Sequence, residues 1–284
     1  MNTHGLNFAV NCSILLKDLP LLERPAAAKA AGFDAIELWW PFDVSNPSSR
    51  DVDEFVRAIG DADVRLIGLN SFAGDMPAGD RGILSHPDRV AEFRENVLLL
   101  ASIGERLGCS AFNVLYGNTL PGLSPEVQKQ TAIDNLVVAA EILARIGGTI
   151  LIESCSGIPA YPLKTAKDAL AVVGDARGAG ASNVAFLLDV YHLAANGDDP
   201  LAAIDTVAEQ TGHVQIADFP GRGAPGTADL DLVRVFDSLR SRRPAGWIGL
   251  EYQSVDGDPF AWLPRTDRGS SNSTETRSTG GTEA

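Results

Sequence analysis

The chain alternates between two hydrophobic rhythms. Short apolar runs with β-branched or aromatic character fall at residues 7–11, 35–40, 65–69, 111–116, 149–153, 184–189, 213–217 and 247–252. Runs that are apolar almost throughout suit parallel strands buried on both faces. Between them lie stretches of helical period, at 20–31, 51–59, 87–107, 125–146, 163–173, 200–210 and 230–241. Val52, Phe55, Val56 and Ile59 stand at i, i+3, i+4 and i+7, which gathers them on one helix face. The punctuation agrees. Gly32, Gly108 and Gly147-Gly148 close helices, and Ser124 before Pro125 and Glu126 reads as an N-cap, a first-turn proline and an early acid.

Regular strand–helix alternation calls for parallel strands joined by helical crossovers. Eight such units in about 260 residues match an α/β fold of the (β/α)8 TIM-barrel kind, as a single domain. The rival is an open doubly wound sheet, which carries a Gly-rich phosphate loop after its first strand. Here that strand leads into Cys12-Ser13-Ile14-Leu15-Leu16, so the barrel is preferred and no nucleotide cofactor is expected. Residues 1–264 are read as the barrel domain. Residues 265–284 are Ser-, Thr- and Gly-rich with no large apolar side chain, and are read as a disordered tail.

Charge narrows the partners. Lys plus Arg is 23 and Asp plus Glu is 37, a formal net charge of −14. Such a surface repels phosphate backbones and anionic lipid, so neither nucleic acid nor membrane is expected. The N-terminus has no basic segment leading into an apolar one, and no run of about 18 apolar residues occurs. Cys12, Cys109 and Cys155 show no metal-ligand spacing, which fits a reducing, cytoplasmic setting. A small anionic substrate remains open if a metal or local cation receives it. Self-association is also left open.

Candidate chemistry sits where strands end, the functional face of such a barrel. Three apolar runs close on a carboxylate: Glu153, Asp189 and Glu251. In the seventh run, His213, Gln215 and Ala217 share one face. Three carboxylates facing one another repel, and a divalent cation held by oxygen ligands relieves that. The plain alternative for each is a helix N-cap or ion-pair partner. His192 follows Asp189 by three positions and is read as a site residue; His213 is either a site residue or a supporting core histidine. Glu37, inside the second run, is either a buried ion-pair partner or a substrate contact. Trp39-Trp40-Pro41-Phe42 either plugs the barrel top or walls a pocket. Two Gly-rich loops, 70–82 and 218–227, read as mobile. Asn70 opens the first. Arg222 in the second is the main candidate for a bidentate clamp on a substrate carboxylate, with Arg81 as a second.

The segments Phe33-Asp34-Ala35-Ile36-Glu37, Ala73-Gly74-Asp75, Leu151-Ile152-Glu153, Asp189-Val190-Tyr191-His192, Gly212-His213-Val214-Gln215-Ile216-Ala217-Asp218 and Gly246-Trp247-Ile248-Gly249-Leu250-Glu251-Tyr252 occur in this order. In combination they resemble the hydroxypyruvate isomerases of the xylose-isomerase-like barrel group, over roughly residues 6 to 264. The resemblance implies Glu153 and Glu251 as the acid/base pair. It implies Glu153, Asp189, Gln215 and Glu251 as ligands of Mg2+ or Mn2+. The implied reaction converts hydroxypyruvate to tartronate semialdehyde through an enediolate; from their positions, His192, His213, Arg222 and Asn70 are expected to bind the substrate. An isomerase or epimerase of a related acid such as 2-oxo-tetronate is the alternative, and a non-catalytic sugar-acid binding barrel a further one. Relatives often carry Pro after the first glutamate, His before Asn70 and Glu at position 224. This chain has Ser154, Leu69 and Ala224 there.

Overall fold

The computed structural model describes residues 3, 5–242, 246–254 and 257–269. Eight strands, β1 (Asn7–Asn11), β2 (Ala35–Leu38), β3 (Arg65–Asn70), β4 (Ala111–Asn113), β5 (Thr149–Glu153), β6 (Val184–Asp189), β7 (Thr211–Ile216) and β8 (Trp247–Leu250), form a closed parallel barrel in chain order. β8 pairs back onto β1, with Phe8 opposite Ile248. The helices are α1 (Arg24–Ala30), α2 (Ser49–Asp61), α3 (Val90–Leu107), α4 (Pro125–Ala144), α5 (Ala166–Gly178), α6 (Val190–Ala195), α7 (Pro200–Val207) and α8 (Leu232–Arg242). No helix among the described residues is long and apolar enough to cross a membrane.

The helix signals act as their chemistry dictates. Ser48 and Ser124 accept the Asp51 and Val127 amides and start α2 and α4. Gly108 takes φ 68° and ends α3. Val52, Phe55 and Ile59 are buried on the inner face of α2. Thr165 and Asp168 cap each other reciprocally, which moves the start of α5 to Ala166.

Several expectations are corrected. β2 stops at Leu38, and the Trp39 amide donates to the Ser13 hydroxyl, so the tryptophans leave the ladder. α6 was not expected; Asp189 caps it by accepting the His192 amide at 2.9 Å. The two loops read as mobile are braced. Asp218 is wholly buried, and its carboxylate accepts the Phe219, Gly226, Ala228 and Leu230 amides. Residues 221–226 spell G-x-G-x-x-G, yet they lie in this braced loop after β7 and open no helix. In the 70–82 loop, the Asp75 amide donates to Asp80 and the Gly82 amide to the Ala73 carbonyl. Finally, residues 265–269 pack on the barrel. Arg268 is buried and donates to the carbonyls of Ala31, Phe260 and Leu263, while Thr3 donates to Asp267 at 2.6 Å. The remaining tail, 270–284, lies outside the described residues.

Candidate active site

The C-terminal ends of the strands carry a nearly continuous polar ring. Register sets Asn11 beside Glu37, Asn70 beside Asn113, and Asp189 beside Gln215. Glu37 is the hub on one side. Its carboxylate accepts Asn11 Nδ2 at 3.0 Å, Gln215 Nε2 at 2.7 Å and His213 Nε2 at 2.6 Å. Glycine makes room for it: a Cβ on Gly249 would lie 2.5 Å from both Glu37 oxygens. Glu37 is thus buried and hydrogen-bonded to His213. His213 turns its Nε2 to Glu37.

The two glutamates are held by different amides. Glu153 accepts Asn113 Nδ2 at 2.7 Å, and Glu251 accepts Asn11 Nδ2 at 3.0 Å. Glu251 also accepts a hydrogen bond from the Arg222 guanidinium, whose Nε faces the Glu251 carbonyl. Burial pushes the Glu153 carboxyl up to about 8, reinforced by Asp189 and opposed by the Asn113 bond. Burial also raises Glu251, opposed chiefly by Arg222. Carboxyls tuned this way can carry protons near neutral pH.

His192 is oriented by the β5 loop. Its Nδ1 accepts the Ser156 amide at 3.0 Å. A neutral ring accepting there carries its proton on Nε2. Burial lowers the His192 pKa to about 4, which keeps the ring neutral. Nε2 lies 3.8 Å from Glu153 Oε1 and 3.9 Å from Asp189 Oδ2, so the ring turns an N–H donor toward the carboxylates.

Asn70, Glu153, His192, Arg222 and Glu251 line one inner cavity of ≈ 120 Å³, together with Arg81, Trp39 and Met76. Trp39, Asn70 and Met76 also border an outer chamber of ≈ 570 Å³ walled by Trp40, Phe42 and Phe72. The aromatic run thus walls a pocket.

Oxygen donors for a cation are present. Asp189 Oδ2 and Gln215 Oε1 are buried and have no hydrogen-bond partner among the described residues. Such orphaned oxygens are costly unless something positive meets them. Because Gln215 gives its NH2 to Glu37, its remaining oxygen is an acceptor. Two sets of ligand atoms lie within 4.8 Å of one another: Glu153, Cys155 and His192, and Asp189, His192 and Glu251. Burial holds Cys155 as the thiol, and the Ser156 contact leaves His192 presenting N–H instead of a lone pair. Glu153 falls in one of these sets and Asp189 with Glu251 in the other; their carboxylate oxygens, with the free Gln215 oxygen, are donors of the kind that suits Mg2+ or Mn2+.

Asn11 and Asn113 are functional neighbours that the sequence reading missed. Each ends an apolar strand, the same signal as the carboxylates, but neither is charged.

Comparison with known proteins follows the same lines. The xylose isomerase-like TIM barrel family profile matches residues 25–270. A Streptomyces coelicolor protein provisionally named a hydroxypyruvate isomerase is 50% identical over 266 residues, 90% of this chain and 95% of its own. The hydroxypyruvate isomerase of Escherichia coli is 31% identical, over 87% of this chain and 93% of its own. A 2-oxo-tetronate isomerase of Pectobacterium atrosepticum is 30% identical, over 91% and 98%. Among solved structures, one from Brucella melitensis described as an AP endonuclease, family 2, superposes with TM-score 0.82 at 31% identity, covering 90% of this chain and 97% of that one. The chain belongs to the xylose isomerase-like TIM barrel family and, within it, to the hydroxypyruvate isomerase branch.

Proposed function

We propose that the protein is an isomerase of a small hydroxy-keto acid, with hydroxypyruvate and tartronate semialdehyde as the interconverted pair. The observation that carries this is the pair of buried glutamates, on non-adjacent strands, facing one small cavity with raised proton affinities. The relatives' names support the substrate class, with 2-oxo-tetronate as the next candidate. A net charge of −14 weighs against a phosphate-backbone ligand.

The reaction moves one proton from C3 to C2 and one from the C3 hydroxyl to the C2 oxygen, and is redox neutral. One glutamate takes the C3 proton beside the ketone, leaving an enediolate, and the other returns a proton to C2. Asn113 and Asn11 aim the two carboxylates, and Arg222 holds Glu251 from the open side. The neutral His192 Nε2–H donates to an enediolate oxygen, as does the Asn70 amide. A divalent cation held by Glu153, Asp189, Gln215 and Glu251 would supply Lewis-acid stabilisation of that negative charge. The trial is direct: incubate purified protein with hydroxypyruvate, before and after chelation and with Mg2+ or Mn2+ restored. Conversion that chelation abolishes and either metal restores supports the reading. No conversion under any condition removes hydroxypyruvate as the substrate.

A further inference from the structure

We infer that Arg81, and not Arg222, receives the substrate's carboxylate, and that it makes the site selective for acids over neutral ketoses. The inference rests on the small-acid reading above. Both arginines line the inner cavity, but their charges are spent differently. Arg222 pairs with the Glu251 carboxylate and its carbonyl, and lies 5.3 Å over the Tyr191 ring. Its charge already answers a catalytic carboxylate, and drawing it away to a substrate would leave Glu251 buried without its counter-charge.

Arg81 has no such partner. Among the described residues, its side chain meets only the Met76 and Asp80 carbonyls, both through Nη1, at 3.0 and 2.6 Å. Nε and Nη2 are left, the edge that meets a carboxylate with two parallel hydrogen bonds. The nearest acid in sequence does not neutralise it: the Asp80 carboxylate is taken by the Asp75 amide and by Arg89 at 3.3 Å. Arg81 also does not swing. Its carbonyl accepts the Gly117 amide at 3.0 Å, and Gly82 bridges to Tyr116. Gly82 takes φ +97°, and a Cβ there would lie 2.0 Å from the Leu115 carbonyl oxygen, so only glycine allows the two segments to close. The result is a fixed cation with an open hydrogen-bonding edge in a cavity whose other charged lining is Glu153, Glu251 and the already paired Arg222. That arrangement recognises a monoanion by charge and by a planar fork.

The experiment separates carboxylate recognition from turnover. D-glycerate keeps the three-carbon acid but does not react; glycerol replaces its carboxylate with a hydroxymethyl group. Both are titrated calorimetrically into wild type, Arg81→Gln, Arg81→Lys and Arg222→Gln, with melting temperatures recorded as a check on folding. Arg81→Gln weakens glycerate binding about 10- to 100-fold, the worth of a charge-assisted paired contact, and leaves glycerol unchanged. Arg81→Lys recovers part of the loss. Arg222→Gln weakens both ligands alike, because it acts through Glu251. With hydroxypyruvate as substrate, Arg81→Gln raises KM more than it lowers kcat. The inference is overturned if wild type does not prefer glycerate to glycerol, or if glycerate affinity survives Arg81→Gln and falls only in Arg222→Gln. Wild type that binds glycerate through Arg81 yet leaves hydroxypyruvate unconverted would sink the proposed reaction and keep this assignment.

Discussion

Glu37 shows how one residue depends on the absence of another. It accepts three side-chain donors, and the space it fills beside β8 exists because position 249 has no Cβ. Gly249→Ala forces that carboxylate aside, so stability falls by about 1–3 kcal/mol, in the range of core overpacking. Turnover falls with it, because Asn11 and Gln215 lose their anchor; an unchanged melting temperature and rate would show the network to be slack. His192 offers a second residue-scale test, in chelator-treated protein. Burial lowers its pKa to about 4, whereas an unfolded histidine titrates near 6.5. Between those values the unfolded chain binds more protons, so its contribution is intact above about 6.5 and is lost as pH falls toward 4. The fall in melting temperature across that window becomes shallower in His192→Gln, and equal slopes in the two proteins would mean that the ring is not held neutral. The carboxylates that end β5 and β6 and follow β8 were legible because a charge closing an apolar run has few explanations. Asn11 and Asn113 were not, because a neutral amide there also reads as a turn residue.

At the scale of elements, strands and long helices were legible from period, and their ends were not. β2 and β8 each end two residues before their apolar runs, because the ladder stops where the chain turns over the barrel mouth. α6 has only 6 residues, too few for a helical period to show, although an N-cap is the plain alternative for Asp189 in the sequence. Asp189 does both: Oδ1 caps the helix and Oδ2 remains for the site. The β7 loop was misjudged from its glycines and prolines, because composition does not reveal that one buried aspartate collects four amides. Asp218→Ala should therefore cost about 3 kcal/mol or more, since several buried donors lose their acceptor at once. It should also lower kcat/KM, since the loop carries Arg222 to Glu251. Thermal melts and kinetics of the variant check both, and a loss confined to stability would uncouple the loop from the site.

At the scale of the molecule, the closed barrel was legible because its eight units repeat one physical rule, while the docking of the segment that follows it was not. Residues 265–269 read as polar tail, yet Arg268 is buried at 8% exposure and joins the Ala31, Phe260 and Leu263 carbonyls across the base of the fold. An arginine in a Ser-rich sequence gives no sign of the carbonyls waiting for it. Arg268→Ala lowers stability by about 2–3 kcal/mol, whereas Arg265→Ala, which loses one exposed bond to the Ala30 carbonyl, costs less than about 1 kcal/mol. Chemical denaturation of the two variants decides it; equal losses would mean that Arg268 does not lock the terminus. The central claim is that this closed frame sets Glu153 and Glu251 as an acid/base pair over one small acid. The most direct test is NMR in D2O, following loss of the C3 proton signal of hydroxypyruvate above the uncatalysed rate. The account predicts enzyme-dependent loss that slows by a factor on the order of 10²–10⁴ in both Glu153→Gln and Glu251→Gln, with melting temperatures preserved. Wild-type rates in either variant, or no C3 proton loss with the intact protein, would contradict it.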